Sequence, residues 1–185
     1  VGERPEPSAL LVANHISWTD VLVLGGAIRT GFVARADVRG WPVLGLLARL
    51  NGTIFVDRGA RLDIREQNAA LADALRRGRV TLFPEGTTGD GRDVLPFRPA
   101  LLGAAAERPI QPVAIGYAPQ HGDLAAFAWD GDKTFLPHLL YVIASGGARC
   151  RISILPPIPP ECGDRKARAG EARAMIRAAL NPAAF

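Results

Sequence analysis

The sequence predicts a single-domain α/β fold: a mixed, largely parallel sheet flanked by helices on both faces. Three observations carry that expectation. Short apolar runs of strand length alternate with longer runs of helical periodicity. No internal repeat or low-complexity linker interrupts the 185 residues, a length that suits one domain with a real core. Hydrophobic residues make up 48% and charged residues 22%, the balance of a globular chain. Strands that alternate with helices pair in parallel and need cover on both faces. Residues 1–185 are therefore treated as one domain. Val1 is not a start methionine, so a segment is expected to precede it.

Taken in order, Ala9 to Ala13 is an uninterrupted apolar run and reads as a buried strand. Trp18 to Ile28 reads as a helix with Ser17 at its N-cap. Phe32 to Ala34 is a short strand, and Trp41 to Leu50 a helix with Pro42 near its first position. Thr53 to Asp57 is a strand. Leu62 to Arg77 has the strongest helical pattern: Ile64, Leu71, Ala72 and Leu75 line one face, and Gly78 stops it. Val80 to Phe83 is a buried-type strand, and Pro99 to Glu107 a helix opened by proline. Pro112 to Tyr117 and Cys150 to Leu155 are further strands. Glu171 to Leu180 is a helix closed by Asn181-Pro182.

The formal charge is +4 and the pI about 9.7, with arginine supplying nearly all the cations. Arginine's planar fork suits phosphate and carboxylate. Anionic partners, a membrane surface among them, fit such a chain. The motifs of nucleic-acid recognition are absent, so no nucleic-acid partner is expected. Cys150 and Cys162 form no CxxC pair and are expected as reduced thiols. Cys150, Ile152 and Ile154 share one strand face, which makes Cys150 a small core residue. His15, His121 and His138 form no ligand motif, so no metal is expected; His121 reads as turn, His138 as helix or core. No apolar run reaches the 18 or so residues that span a bilayer; the charge-free stretch from Thr134 to Ala148 is shorter and broken by Pro137 and Gly146-Gly147.

Chemistry concentrates at two strand ends. The first strand opens into Asn14-His15-Ile16-Ser17-Trp18-Thr19-Asp20, and Val80 to Phe83 opens into Pro84-Glu85-Gly86-Thr87-Thr88. Groups at the carboxyl ends of parallel strands commonly build one site. Residues five apart do not share a helix face, so His15 and Asp20 meet only if His15 lies in the turn and Asp20 in the first helical turn. Ser17-Trp18-Thr19-Asp20 fits a capping-box-like start that allows this. A plainer alternative stays open at this point: Asp20 caps the helix and His15 is a hydrogen-bonded turn residue. If the pair is catalytic, the imidazole takes a proton from an alcohol, an effect of roughly 10²–10⁴-fold, and the carboxylate fixes its tautomer. There is no Gly-x-Ser-x-Gly elbow, and neither cysteine lies near a histidine in sequence. An electrophile activated beforehand, such as a thioester, would then be attacked without an acyl-enzyme.

These residues resemble the glycerolipid acyltransferase family typified by 1-acylglycerol-3-phosphate acyltransferases. Its Asn-His-x-Ser-x-x-Asp block is matched by Asn14, His15, Ser17 and Asp20. Its Ile-Phe-(Ile/Val)-Asp-Arg run is matched by Ile54 to Arg58, and its Phe-Pro-Glu-Gly-Thr block by Phe83 to Thr87. A fourth apolar block with a proline is matched by Pro112-Val113-Ala114-Ile115. All four stand in family order within residues 8 to 117. Thr88 replaces a common arginine, and Arg35 a common lysine. Thr87-Thr88-Gly89-Asp90-Gly91, Val94-Leu95-Pro96-Phe97 and Trp129-Asp130-Gly131-Asp132 look more like the bacterial lyso-ornithine-lipid O-acyltransferase branch.

The resemblance implies a glycerol-3-phosphate acyltransferase-like fold and O-acyl transfer from an acyl thioester to the free hydroxyl of a lysolipid, either lysophosphatidate or lyso-ornithine lipid. By position it makes His15 the general base and Asp20 its partner. Arg58, Glu85, Gly86 and Thr87 are assigned to the acceptor lipid, with Arg98 as a further head-group candidate. Arg58 suits a forked contact to an anion, and the Gly86 amide a close one. It implies no bound cofactor; acyl-CoA or acyl-acyl-carrier-protein is the co-substrate. It also implies work at a membrane surface, on the cytoplasmic face of the inner membrane, peripheral or anchored by a segment outside this chain. The rivals are a non-catalytic lipid- or membrane-surface module and an acyl-thioester hydrolase. For the module, Trp18, Trp41, Leu44, Leu46 and Leu47 would form the apolar patch, unless they are core.

Overall fold

The computed structural model describes residues 4–35, 40, 53–56 and 64–180. Among them six strands form one sheet: β1 (Leu10–Ala13), β2 (Gly31–Arg35), β3 (Ile54–Val56), β4 (Val80–Leu82), β5 (Ile110–Pro119) and β6 (Ala148–Ile154). Their order across the sheet is β3-β2-β4-β1-β5-β6. Every neighbouring pair is parallel except β5 and β6. The helices are α1 (Thr19–Ile28), α2 (Ile64–Arg77), α3 (Leu124–Phe127), α4 (Phe135–Ala144) and α5 (Arg165–Ala179). Pro99–Ala105 and Pro160–Cys162 are 3-10 helices. The α/β class expected from the alternation holds. The helix expected over Trp41 to Leu50 lies outside the described residues.

Strand β1 shows why its apolar run has no polar alternation. It sits between β4 and β5, and all four of its residues are fully buried. Leu10 and Val12 face one core with Leu71, Leu75, Leu102 and Ile110. Leu11 and Ala13 face the other with Leu24, Phe32, Phe83 and Ile115. Helix α2, the Pro99–Ala105 turn and α5 cover the first face. Helices α1, α3 and α4 cover the second.

The topology places a crevice. The connection after β1 runs through α1 to β2, beyond β4; the connection after β4 runs through the Pro99–Ala105 turn to β5, beyond β1. Two adjacent strands thus send their chains to opposite sides, and the gap outside their carboxyl ends is where α/β sheets bind ligands. His15 follows one of those strands and Glu85 the other.

Several elements differ from the sequence expectation for local reasons. Pro99–Ala105 is 3-10 rather than α-helical. Asn68 of α2 donates to the Ala100 carbonyl at 3.0 Å and lies against Gly103, where a Cβ would sit 3.1 Å from its oxygen. On α2 the buried stripe is Leu71, Ala74 and Leu75, so Ala74 takes the place expected for Ala72, and Ile64 stands 39% exposed. Helix α5 starts at Arg165, six residues before the expected Glu171, because Asp164 caps it by accepting from the amides of Lys166 and Ala167. Inside this basic run Arg168 is buried and donates to the carbonyls of Ala105 and Arg108.

Helix α4 was not expected as an element, although His138 was read as helix or core; it is both. Its Nδ1 accepts from Trp18 Nε1 at 3.0 Å, which leaves Nε2–H to donate to the Phe127 carbonyl at 3.0 Å. Trp18 is accordingly buried, not part of an exposed apolar patch. The other patch candidates, Trp41, Leu44, Leu46 and Leu47, lie outside the described residues. Burial holds the His138 imidazole below its ordinary value of 6.5. The unfolded chain therefore takes up a proton near pH 6.5 that the native state refuses, and stability falls as pH drops below that point. His138→Asn keeps a donor and an acceptor without the titration. Its urea midpoint should fall less than that of wild type between about pH 7.5 and about 5.5.

Candidate active site

Asn14 ends β1 by imitating another residue of the strand. Its side-chain amide donates to the Ile115 carbonyl at 2.9 Å and accepts from the Ile115 amide at 2.8 Å. The ladder with β5 is thus closed by a side chain, and the backbone of His15 is free to turn away. The loop after β4 takes it up on both sides. The His15 amide donates to Glu85 Oε1 at 2.7 Å, and its carbonyl accepts from the Gly89 amide at 2.8 Å.

The His15 imidazole is fixed by two contacts. Its Nδ1 is 2.7 Å from Asp20 Oδ2. One ring face stacks on Phe83, with centroids 4.0 Å apart and planes 14° from parallel. The side chain is 19% exposed, while Asp20 is fully buried. Nε2 makes no hydrogen bond among the described residues.

Asp20 sits in a cage of donors. Oδ2 also accepts from the amides of Ile16 at 2.7 Å and Ser17 at 3.0 Å, and Oδ1 accepts from the Tyr117 hydroxyl at 2.7 Å. Four donors converge on one carboxylate in the first turn of α1, where the helix field also favours negative charge. Since Asp20 serves as acceptor to all of them, Nδ1 of His15 carries the hydrogen and Nε2 keeps the lone pair. Burial pushes the Tyr117 phenol far above its ordinary range, so it remains a donor. The Thr19 hydroxyl in turn donates to the Tyr117 oxygen at 3.1 Å.

The helix start differs from the expected capping box. Trp18 occupies the N-cap position with no side-chain cap, and the buried Ser17 hydroxyl has no partner among the described residues. The cap works in reverse: the Asp20 carboxylate reaches back to the turn's amides, and the Asp20 amide donates to the Ser17 carbonyl.

The second loop sorts the remaining candidates. Glu85 is 3% exposed, and its two oxygens accept from the amides of His15 and Leu95, at 2.7 and 2.9 Å. Burial raises its carboxyl to about 7 against the downward pull of those amides. The Gly86 amide, expected to serve an anion, donates instead to the Phe83 carbonyl at 3.1 Å, in a turn that needs glycine at φ 75°. Thr87 is exposed; the neighbouring Thr88 hydroxyl donates to the Trp129 carbonyl. A cleft of about 220 Å³ is lined by Phe83, Pro84, Gly86, Arg98, Gln67 and Leu101, among others. Phe83 is common to both places, with its ring against His15 and a share in the cleft wall. The Arg98 backbone is pinned to the Pro84 carbonyl at 2.8 Å, and its exposed guanidinium has no partner among the described residues. Arg58 lies outside the described residues.

The arrangement brings His15, Asp20 and Glu85 together, with Gly86 and Arg98 on an adjoining cleft. It can accept a proton at Nε2 while a buried carboxylate steadies the resulting imidazolium. No serine or cysteine is bonded to His15 among the described residues. Burial pushes the Cys150 thiol up to about 11, which removes it as a nucleophile. Sequence reasoning missed Tyr117 and the Leu95 amide. Tyr117 was visible only as the end of an apolar strand, and no local pattern ties it to Asp20.

Residues 3–116 match the family described as Acyltransferase. The lyso-ornithine lipid O-acyltransferase of Pseudomonas aeruginosa is 40% identical over 182 residues, covering 97% of this chain and 70% of that protein. Its namesake in Brucella abortus is 38% identical over 191 residues, covering 94% and 72%. The 1-acyl-sn-glycerol-3-phosphate acyltransferase of Neisseria meningitidis is 36% identical over 130 residues, covering 66% of this chain and 51% of that protein. Among solved structures, the 1-acyl-sn-glycerophosphate acyltransferase PlsC of Thermotoga maritima superposes with a TM-score of 0.67 at 23% identity. It covers 96% of this chain and 67% of that one, a likeness of fold.

Proposed function

The chain belongs to the Acyltransferase family, and on that premise we propose that it moves a fatty acyl group from an acyl thioester to the free hydroxyl of a lysolipid. Lyso-ornithine lipid is the favoured acceptor, since two relatives of that name align along nearly the whole chain. Lysophosphatidate is the second reading, carried by the shorter match to the Neisseria enzyme. Both acceptors carry an anionic group, a carboxylate in one and a phosphate in the other, which suits Arg98 at the cleft. Arg58 and Thr87 are kept as head-group candidates.

The observation that carries the mechanism is the 2.7 Å contact between His15 Nδ1 and a carboxylate already held by three other donors. His15 Nε2 takes the acceptor's hydroxyl proton as its oxygen attacks the thioester carbonyl. The tetrahedral intermediate collapses, the carbon–sulfur bond breaks, and the departing thiolate takes the proton from the imidazolium. Asp20 keeps its bond to Nδ1–H throughout and changes no proton. The donor, acyl-CoA or acyl carrier protein, meets this site at a membrane surface where the lysolipid resides. Glu85 serves the acceptor indirectly, by holding the His15 backbone against the cleft.

Offering lyso-ornithine lipid and lysophosphatidate with each donor, and weighing the product by mass spectrometry, tests the reading. A gain of one acyl group on one lysolipid supports it. Thiol release that is indifferent to either acceptor would replace it with thioester hydrolysis. Tyr117→Phe removes the donor on Asp20 Oδ1. It should lower kcat about tenfold with little change in KM, and cost about 1–3 kcal/mol of stability. Steady-state kinetics and urea titration check both numbers.

A further inference from the structure

The two helical layers of the sheet are unlike. On one face, α2 carries Arg65, Glu66, Asp73, Arg76 and Arg77, and α5 is as rich in charge. On the other face, Val21 to Ile28 of α1 and the whole of α4 contain no acidic or basic residue other than His138. Helix α4 is also inverted. Its one imidazole is 5% exposed, whereas Leu136, Leu140 and Ile143 are 62%, 59% and 66% exposed. Spacings of four and three put those three side chains in one stripe. Single exposed leucines need no explanation, but a stripe of three on a helix whose outer side carries no acidic or basic residue does.

The inner face of the same helix packs on the catalytic turn. Phe135 at the start of α4 packs edge-on to Trp18, with centroids 5.4 Å apart, and His138 accepts from the Trp18 indole. Trp18 stands between His15 and Asp20 in sequence. Helix α4 thus has one face on the His15–Asp20 turn and the other open.

We propose that α4 is the face by which this protein docks on a lipid bilayer, with Leu136, Leu140 and Ile143 seated among the acyl chains and the His15 turn at the water boundary. The inference rests on the lysolipid reading of the acceptor. A lysolipid keeps its own chain in the bilayer, so a base beside an inserted helix meets the hydroxyl without extracting the lipid. The formal charge of +4 complements an anionic leaflet. Asp20 is buried, and of the acidic pair before α4, Asp130 is bound by Lys133. Apolar area together with attraction to anionic lipid is the combination that holds interfacial helices.

Sedimentation with phosphatidylcholine vesicles, with and without phosphatidylglycerol, tests this on the purified protein. The double variant Leu136→Glu/Leu140→Glu should lose at least about tenfold in vesicle partitioning, because acidic groups replace inserted apolar ones. It should keep its circular dichroism and its turnover on lysolipid dispersed in detergent micelles. An environment-sensitive dye on Leu140→Cys should shift to the blue on vesicles, and the same dye on Arg76→Cys of α2 should not. The proposal is overturned if the double variant partitions like wild type, or if the dye responds on α2 and not on α4. It is equally overturned if gel filtration shows a dimer that Leu140→Glu dissociates while vesicle binding is unchanged; the stripe would then be covered by a second copy. Docking through α4 by a protein that acylates no lysolipid in any dispersion would uphold the surface and reject the acceptor reading.

Discussion

His15→Ala should lower kcat by about 10²–10⁴-fold, the range of a positioned general base, with the acceptor KM nearly unchanged. The fold should survive. Asp20 keeps three of its four donors, so the loss of stability is about 1–3 kcal/mol. Asp20→Asn should behave differently. A carboxylate accepts on both oxygens, but an amide offers one acceptor and one donor group. Turned one way, its NH₂ meets two backbone amides that can only donate; turned the other way, it meets the Tyr117 hydroxyl, which must give up its own donated hydrogen bond in a fully buried cage. That variant should lose both turnover and several kcal/mol of stability. Turnover of His15→Ala within about threefold of wild type would remove the imidazole from the mechanism.

Glu85 gives the second large effect. Glu85→Ala strips the acceptors from the amides of His15 and Leu95 in a buried place, at a cost of about 1–3 kcal/mol for each amide. Because His15 itself is one end of that clamp, kcat should fall by about tenfold or more, while a direct lipid contact at Glu85 would instead show in the acceptor KM. The pH dependence has a definite sign. In the unfolded chain this carboxyl releases its proton near 4.5, and in the native state near 7. Between those values the native state binds the extra proton, so this group's contribution to stability declines as pH rises through the window. Activity runs the other way. Below about 7 one oxygen gains a proton and no longer serves its amide well, so the clamp on His15 loosens and kcat falls. Glu85→Gln has an NH₂ group facing an amide at every pH. Its kcat should be low throughout, and the Glu85 share of the acid limb should vanish. An unchanged acid limb in that variant would assign the whole limb to other groups.

The sheet was legible because its signal is local: each buried run, from Ala9-Ala13 to Val80-Phe83, is apolar over a strand's length. What the sequence hid is non-local or inverted. Helix α4 escaped notice because its leucines face outward and its histidine inward, so its pattern has no polar side to mark a surface. Helix α5 began early because an aspartate cap outweighed a basic run. In the site, the spacing of His15 and Asp20 was readable, and so was their nearness to Glu85. The placing of Ser17 as the cap failed because the carboxylate, with two oxygens to fill, took the turn's amides itself. Tyr117 and Leu95 had no readable tie to the site, since a hydrogen bond from a strand to a helix start, or across an irregular loop, leaves no periodic trace in the sequence.

A consequence follows for the chain as it is synthesised. The base depends on a carboxylate 70 residues downstream for its backbone and, through Asp20, on a phenol 97 residues beyond that aspartate. Until β5 has left the ribosome, the histidine is an ordinary imidazole on a flexible tether. A partly made copy therefore lacks the braced imidazole, and the site is complete only when the central strands have closed around the turn.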